Sequence, residues 1–517
     1  DFTLESFQFR TSGNLTLDAV GDITIQNRIR TGATGDADLI LYSETGQILQ
    51  SDNVADAASS EPIETSSLVV SAEFGVDLPY VDTDDITILN DGEGDIEVNE
   101  VAAGGSLVVV SVTQTDAGGT GDITLSTDGG NLDVPSSSAG VVTVGSGAIT
   151  LQAGGSGSVL TVSKAVTGVS GGVTLQADDD VTISAVVSNS GNGPLAVISD
   201  NADIVQEAVL STVGGTIALT AAQSVEQKAN LLSSGGAVTV TATAGAITMT
   251  SLVETVSVTG ADDAVVTYTA GTDIGVSIIE SDGTVTLTAG GAIYDNLAGD
   301  TSGVDTNLRG GTIVAILSAG TGIGHHPSAA ADDLNIEVAQ LTLSNSTSGN
   351  VFIEEADDLV ISAATTGLTS AGTDGSVSVE TVSGDITVSG PIAITADGGD
   401  LVLKAGGSGD IFVNNTISST KGTVFVQAGG VVNQAAAGDI TVSGSGEDLV
   451  VLSVGTLTMT NGAVSSANGG SIAYISSTVN VVVGRLTPPA HRAPLAPRTI
   501  PNILWRTLSI GSHAIYF

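Results

Sequence analysis

The chain of 517 residues has no cysteine. Disulfides, thiol chemistry and cysteine-based zinc sites are therefore excluded. Basic residues are scarce, with 12 Lys and Arg against 57 Asp and Glu, a net charge of −45. That balance excludes the basic patches that nucleic acid requires and disfavours anionic membrane surfaces. Aromatics are only 3% of residues, so any core must be narrow and aliphatic. No apolar run approaches the roughly 20 residues of a membrane-spanning helix. Sustained 3.6-residue periodicity is also lacking, and only Ala221–Leu232 offers a helical turn or two. The chain opens at Asp1 with no charged-then-apolar leader, as a mature form or a fragment would.

What is present is a short refrain. Gly-Asp-Ile recurs at Gly21, Gly94, Gly121, Gly384, Gly409 and Gly438, with looser copies at Gly147, Gly172, Gly245 and Gly283. In Gly121-Asp122-Ile123-Thr124-Leu125, glycine is expected to supply the positive φ of a turn, and aspartate to brace that turn. Ile123 and Leu125 then face one side and Thr124 the other. One such strand buries too little to stand alone, so the copies must stack. Strands at Leu68, Ile86, Ile96, Val108, Ile123, Leu132 and onward, punctuated by Gly, Asp and Asn, mark an all-β chain. A string of β-sandwiches has similar strand spacing, but its core calls for large aromatic residues and composition boundaries that this chain lacks before Gly484. We expect an elongated right-handed parallel β-helix, with three strands in each coil of roughly 20–25 residues and about 20 coils.

Three regions follow. Residues 1–10 form an aromatic first strand, 11–484 the solenoid body, and 485–517 a distinct tail. The tail holds four of the basic residues, five of the 11 prolines, the only tryptophan and no acid. Residues 27–66, Asp295–Leu308 and His325–Asp333 read as excursions from the body.

The Gly-Asp-Ile-Thr-Val/Leu copies, Leu287–Ile293, Ser318–Gly324 and Leu341–Leu343 resemble the repeats of large bacterial surface proteins. These are the filamentous-haemagglutinin-like and autotransporter-like β-helix adhesins and related extracellular β-strand-repeat proteins. The resemblance covers roughly residues 11–484 and implies a secreted, cell-surface location and adhesive, biofilm or surface-layer roles. It transfers no catalytic residue, and the secretion module of two-partner-secreted adhesins has no recognisable counterpart here.

Candidate chemistry is sparse. Asp178, Asp179 and Asp180 are candidate ligands for calcium, the one cofactor the acidic turns invite, though Asp is also an ordinary turn residue. His325 and His326 lie beside Asp332 and Asp333, but adjacent side chains on an extended segment diverge. Thr239, Thr241 and Thr243 alternate along one strand as in ice-binding solenoids, yet the row does not recur regularly in the sequence and β propensity explains it. The ends are aromatic: Phe2, Phe7 and Phe9 at one, Trp505, Tyr516 and Phe517 at the other. Because open strand edges invite pairing, these residues are the expected assembly contacts of a chain that associates with itself into a filament. The function expected is a non-enzymatic extracellular fibre, filament or matrix layer. The alternatives are an adhesin stalk that binds host surfaces or glycans, and a β-helix enzyme that degrades polysaccharide.

Overall fold

Alternation and stacking dominate the structure, a computed structural model of the whole chain. It describes residues 2–4, 9–26, 28–32, 36–51, 63–258, 264–298, 306–324, 333–362, 368–370, 375–478, 480–483, 508–510 and 513–515. No helix is present among these, and 55% of the chain is strand. The chain divides near Leu317 into two units. Each is a parallel β-solenoid, and the two together make about 18 coils. Pairing within both is parallel throughout the body, which rules out tandem antiparallel sandwiches.

In the first unit a typical coil has three strands, such as Ile123–Thr127, Leu132–Val134 and Val141–Thr143. They lie beside Ile149–Ala153, Leu160–Val162 and Val166–Gly168 of the next coil. Successive strands thus form three rows. In the first row, equivalent residues lie between 19 (285 − 266) and 28 (266 − 238) positions apart. The second unit repeats the plan from Val351–Glu355 to Ile472–Ser476. Inward positions are stacked Ile, Leu and Val; Ile123, Leu125, Leu132, Val134 and Val141 are all fully buried. Each such side chain contributes about 1.5–3 kcal/mol of burial, which no coil could realise without its neighbours.

Ladder pairing overrides the helical expectation at Ala221–Leu232. Val225–Gln227 and Leu231–Ser233 are strands, because they continue the register of Ile204–Gln206 and Leu210–Thr212. Within residues 27–66, Ile29–Thr31, Leu39–Ser43 and Ile48–Gln50 are likewise regular ladder members. Residues 33–35 and 52–62 lie outside the described residues, as do 299–305 and His325 to Asp332. The tail contributes an antiparallel pair, Leu508–Ile510 with His513–Ile515.

The refrain has a second physical basis beside the one its turn chemistry suggests. Of Gly94, Gly121, Gly147, Gly171, Gly193 and Gly215, only Gly94 has positive φ. The rest stack in a column, where a Cβ would come closer than 3.0 Å to the carbonyl of the glycine one coil earlier. In this column glycine is needed for close approach of backbones, whereas at Gly94 and Gly384, two of the Gly-Asp-Ile copies, it does supply the expected positive φ, +107° and +138°. The aspartate, too, reaches across coils. Asp95 Oδ1 accepts the N–H of Asp122 at 2.9 Å, and Asp122 Oδ1 accepts that of Ala148 at 2.7 Å. In the second unit Asp358 accepts from Asp385 and Asp385 from Asp410, at 2.8 and 2.7 Å. A short acceptor just before a strand, in the first row at Asp95 and Asp122 and in the second row at Asp358 and Asp385, therefore ties one coil to the next.

Asp385→Ala is expected to cost about 1–2 kcal/mol, by stranding the Asp410 amide. Asp385→Asn, which keeps the acceptor and relieves repulsion within the column, should be neutral. Denaturant titration of the two variants checks this, and equal losses would refute the ladder role.

Buried polar side chains recur through the core. Tyr268 takes a first-row inward position and is fully buried. Its hydroxyl donates to Gln227 Oε1 at 2.7 Å and shares a 2.6 Å hydrogen bond with Thr255. The second unit repeats the device, with the Tyr474 hydroxyl donating to Gln434 Oε1 at 2.7 Å and bonded to Ser465.

Candidate interaction face and buried carboxylates

The outward side of the first row sets one face apart. From Ile123–Thr127 to Val285–Ala289, eight consecutive strands present two outward positions each. None of these positions carries a charge, on a protein with a net charge of −45. The inner column reads Thr124, Thr150, Thr174, Ala196, Ala218, Thr239, Thr267 and Thr286. The expectation that threonine rows do not recur is overturned here. Thr239 pairs with Thr267 and Thr267 with Thr286, while Thr241 pairs with Thr269 and Thr269 with Thr288. Thr243 lies beyond its strand and is not part of the grid. The missed signal is Thr-x-Thr-Ala at 239, 267 and 286, whose unequal spacing hides a constant register.

Two glutamates break the opposite rule. The last residue of a first-row strand is normally a small inward side chain, such as Ala153, Ala177 or Ala221. Glu100 and Glu355 occupy that position in the two units, 1% and 0% exposed. Each lies beside an unusually long strand, Val76–Asn90 or Leu334–Asn345. Glu100 pairs with Val81 across a register shift and accepts the N–H of Thr83 at 2.7 Å and of Ala102 at 2.9 Å. Glu355 pairs with Ile336 and accepts the N–H of Val338 at 3.2 Å and of Ala356 at 3.1 Å. In both cases the carboxyl serves an amide two residues past its ladder partner. Burial pushes the Glu100 carboxyl up from 4.5 to about 7, against the amide bonds that lower it and with Asp82 and Asp84 adding to the rise. Burial pushes Glu355 up to about 9, opposed by its amide donors and aided by Asp357. Perturbed carboxyls often mark catalytic sites. These two are enclosed and spent on backbone amides, so they read as fasteners.

The residues singled out from sequence are dispersed. Asp178 accepts from the Gly157 N–H at 2.8 Å and from Asn201 Nδ2 at 2.9 Å. Asp180 belongs to the aspartate ladder and accepts from the Asp203 N–H at 3.1 Å. The Asp179 N–H donates to Ser158 O at 2.9 Å. Among the described residues no group of three or more His, Asp or Glu is placed to hold a metal ion. At the ends, Phe2–Leu4 pairs with Ile23–Ile25 and Phe9–Thr11 with Ile29–Thr31. The side chains of Phe2 and Phe9, and all of Phe7, Trp505, Tyr516 and Phe517, lie outside the described residues. No described helix is long and apolar enough to cross a membrane.

Fold and ladders together define the class: a parallel β-solenoid repeat protein. No family model matches the chain, and no curated protein or solved structure is similar enough to count as a match.

Proposed function

We propose that this chain is a non-enzymatic structural protein of the cell exterior, whose copies join end to end into a fibre or layer. The observation that carries the reading is the last described coil of the second unit. Ile472 takes the first-row position that Leu449, Leu401 and Val377 occupy one or more coils earlier. Those residues are 0–1% exposed, whereas Ile472 is 46% exposed. Val481 of the neighbouring strand, in register with the fully buried Leu457, is 40% exposed. No described strand follows to cover this coil or to take up its backbone N–H and C=O groups. Such an edge is a template for another strand. The coil of a second copy fits it best, since it carries the same three-strand plan and aliphatic files. A head-to-tail contact of this kind does not close and so extends.

The acidic, cysteine-free composition supports an external setting by favouring solubility without thiol chemistry. Surface proteolysis of intact producing cells tests the location, and protection of the chain would refute it. For assembly, the full chain is expected to give filaments in negative-stain images. The Ile472→Lys/Val481→Lys double variant should give single particles with an unchanged circular dichroism spectrum. A wild-type chain that stays monomeric at high concentration would overturn the fibre and leave the monomeric glycan-binding stalk as the better reading.

A further inference from the structure

From the threonine grid we infer that the outward first-row face of the first unit binds ice. The face is distinct from the end contact proposed above, so either proposal can fail without the other. The pairs Thr239/Thr241, Thr267/Thr269 and Thr286/Thr288 lie in register on three consecutive strands. All six point outward, half-buried or exposed. Parallel strands sit about 4.8 Å apart, and alternate residues along a strand about 6.7 Å apart. Hydroxyls and methyls therefore repeat in two dimensions on that grid.

Ordered water has similar repeats. With hydrogen-bonded oxygens about 2.8 Å apart and tetrahedral geometry, second-neighbour oxygens lie about 4.5 Å apart, and two puckered layers repeat every ~7.5 Å. The ladder holds one edge of the grid fixed, and a β-branched side chain has few rotamers with which to blur it. Each threonine offers a hydroxyl that fits a water site and a methyl that water must enclose. Neutrality is the second, independent observation. A charged group would organise water radially around itself, and this face excludes charge over eight strands while the rest of the molecule is strongly acidic. A neutral protein partner would favour larger apolar side chains, and the face lacks aromatic rings on which sugars stack.

The test is partition of the full-length chain into a slowly growing ice hemisphere, with thermal hysteresis measured on the same samples. Wild type is expected to be enriched in the ice and to depress its growth temperature. Thr267→Lys/Thr269→Lys should lose at least tenfold in enrichment, with an unfolding profile like that of wild type. Thr161→Lys, an outward change on the second row, should bind as wild type does. Exclusion of the wild type from ice would overturn the inference. So would equal enrichment of all three proteins, or retention on crystalline polysaccharide with no effect on ice.

Discussion

Raising the pH through neutrality is expected to loosen the second unit at Leu334–Asn345, and Glu355→Gln is expected to abolish the effect. The folded carboxyl of Glu355 titrates near 9 against an ordinary value of 4.5, because burial disfavours its charged form. Between those values the folded state holds a proton that the unfolded chain releases. The stability this proton confers is complete below about pH 4.5 and is lost as pH rises through about 9. Within the window the local opening free energy should fall by up to about 1.4 kcal/mol per pH unit. Glutamine keeps an oxygen for the amides of Val338 and Ala356 and cannot ionise, so its profile should be flat there. Glu355→Ala should cost on the order of 4 kcal/mol below about pH 4.5, since it strands buried donors and leaves a cavity, and less as pH rises through the window. Glu100→Gln is the counterpart in the first unit, with a window from 4.5 to about 7. Hydrogen exchange of the Val338 and Thr83 amides at several pH values reads each site separately. An unchanged pH slope in Glu355→Gln would show that the carboxyl is ionised in place.

The second large effect is expected from Gly147→Val. The glycine lies in the middle of the column, with the Gly121 carbonyl below it, and an added Cβ meets backbone, which cannot swing aside. Relief requires the coils to part, at the expense of the ladder bonds that bind them. The loss should be about 3 kcal/mol or more, at the upper end of overpacking penalties. Gly13→Ala is the control, because nothing lies within 4 Å of a Cβ there, and its effect should stay within about 0.5 kcal/mol. Thermal unfolding of the two variants decides the matter. Tolerance of valine at Gly147 would mean that the column is held together by strand pairing alone.

Both expectations concern residues visible in the sequence, but not in these roles. The Gly-Asp-Ile refrain announces turn and strand, and turn chemistry alone assigns glycine to positive φ and aspartate to its own bend. In the structure most of the stacked glycines have ordinary φ, and the carboxylate serves the next coil. Local rules cannot reveal this, since the group each residue touches is a coil away.

The sequence by itself determined the parallel β-solenoid and the inward Ile, Leu and Val of each strand. Strand alternation is a local property, and a chain so poor in aromatics can bury its aliphatics only by stacking. Tertiary structure alone decided which residues share a column: the glycines, the aspartates, the threonine grid, and the amides served by Glu100 and Glu355. Coils differ in length by as much as nine residues, 28 against 19 in the first row, so vertical neighbours have no constant spacing along the chain. Register is set by the fit of each coil on the one before it.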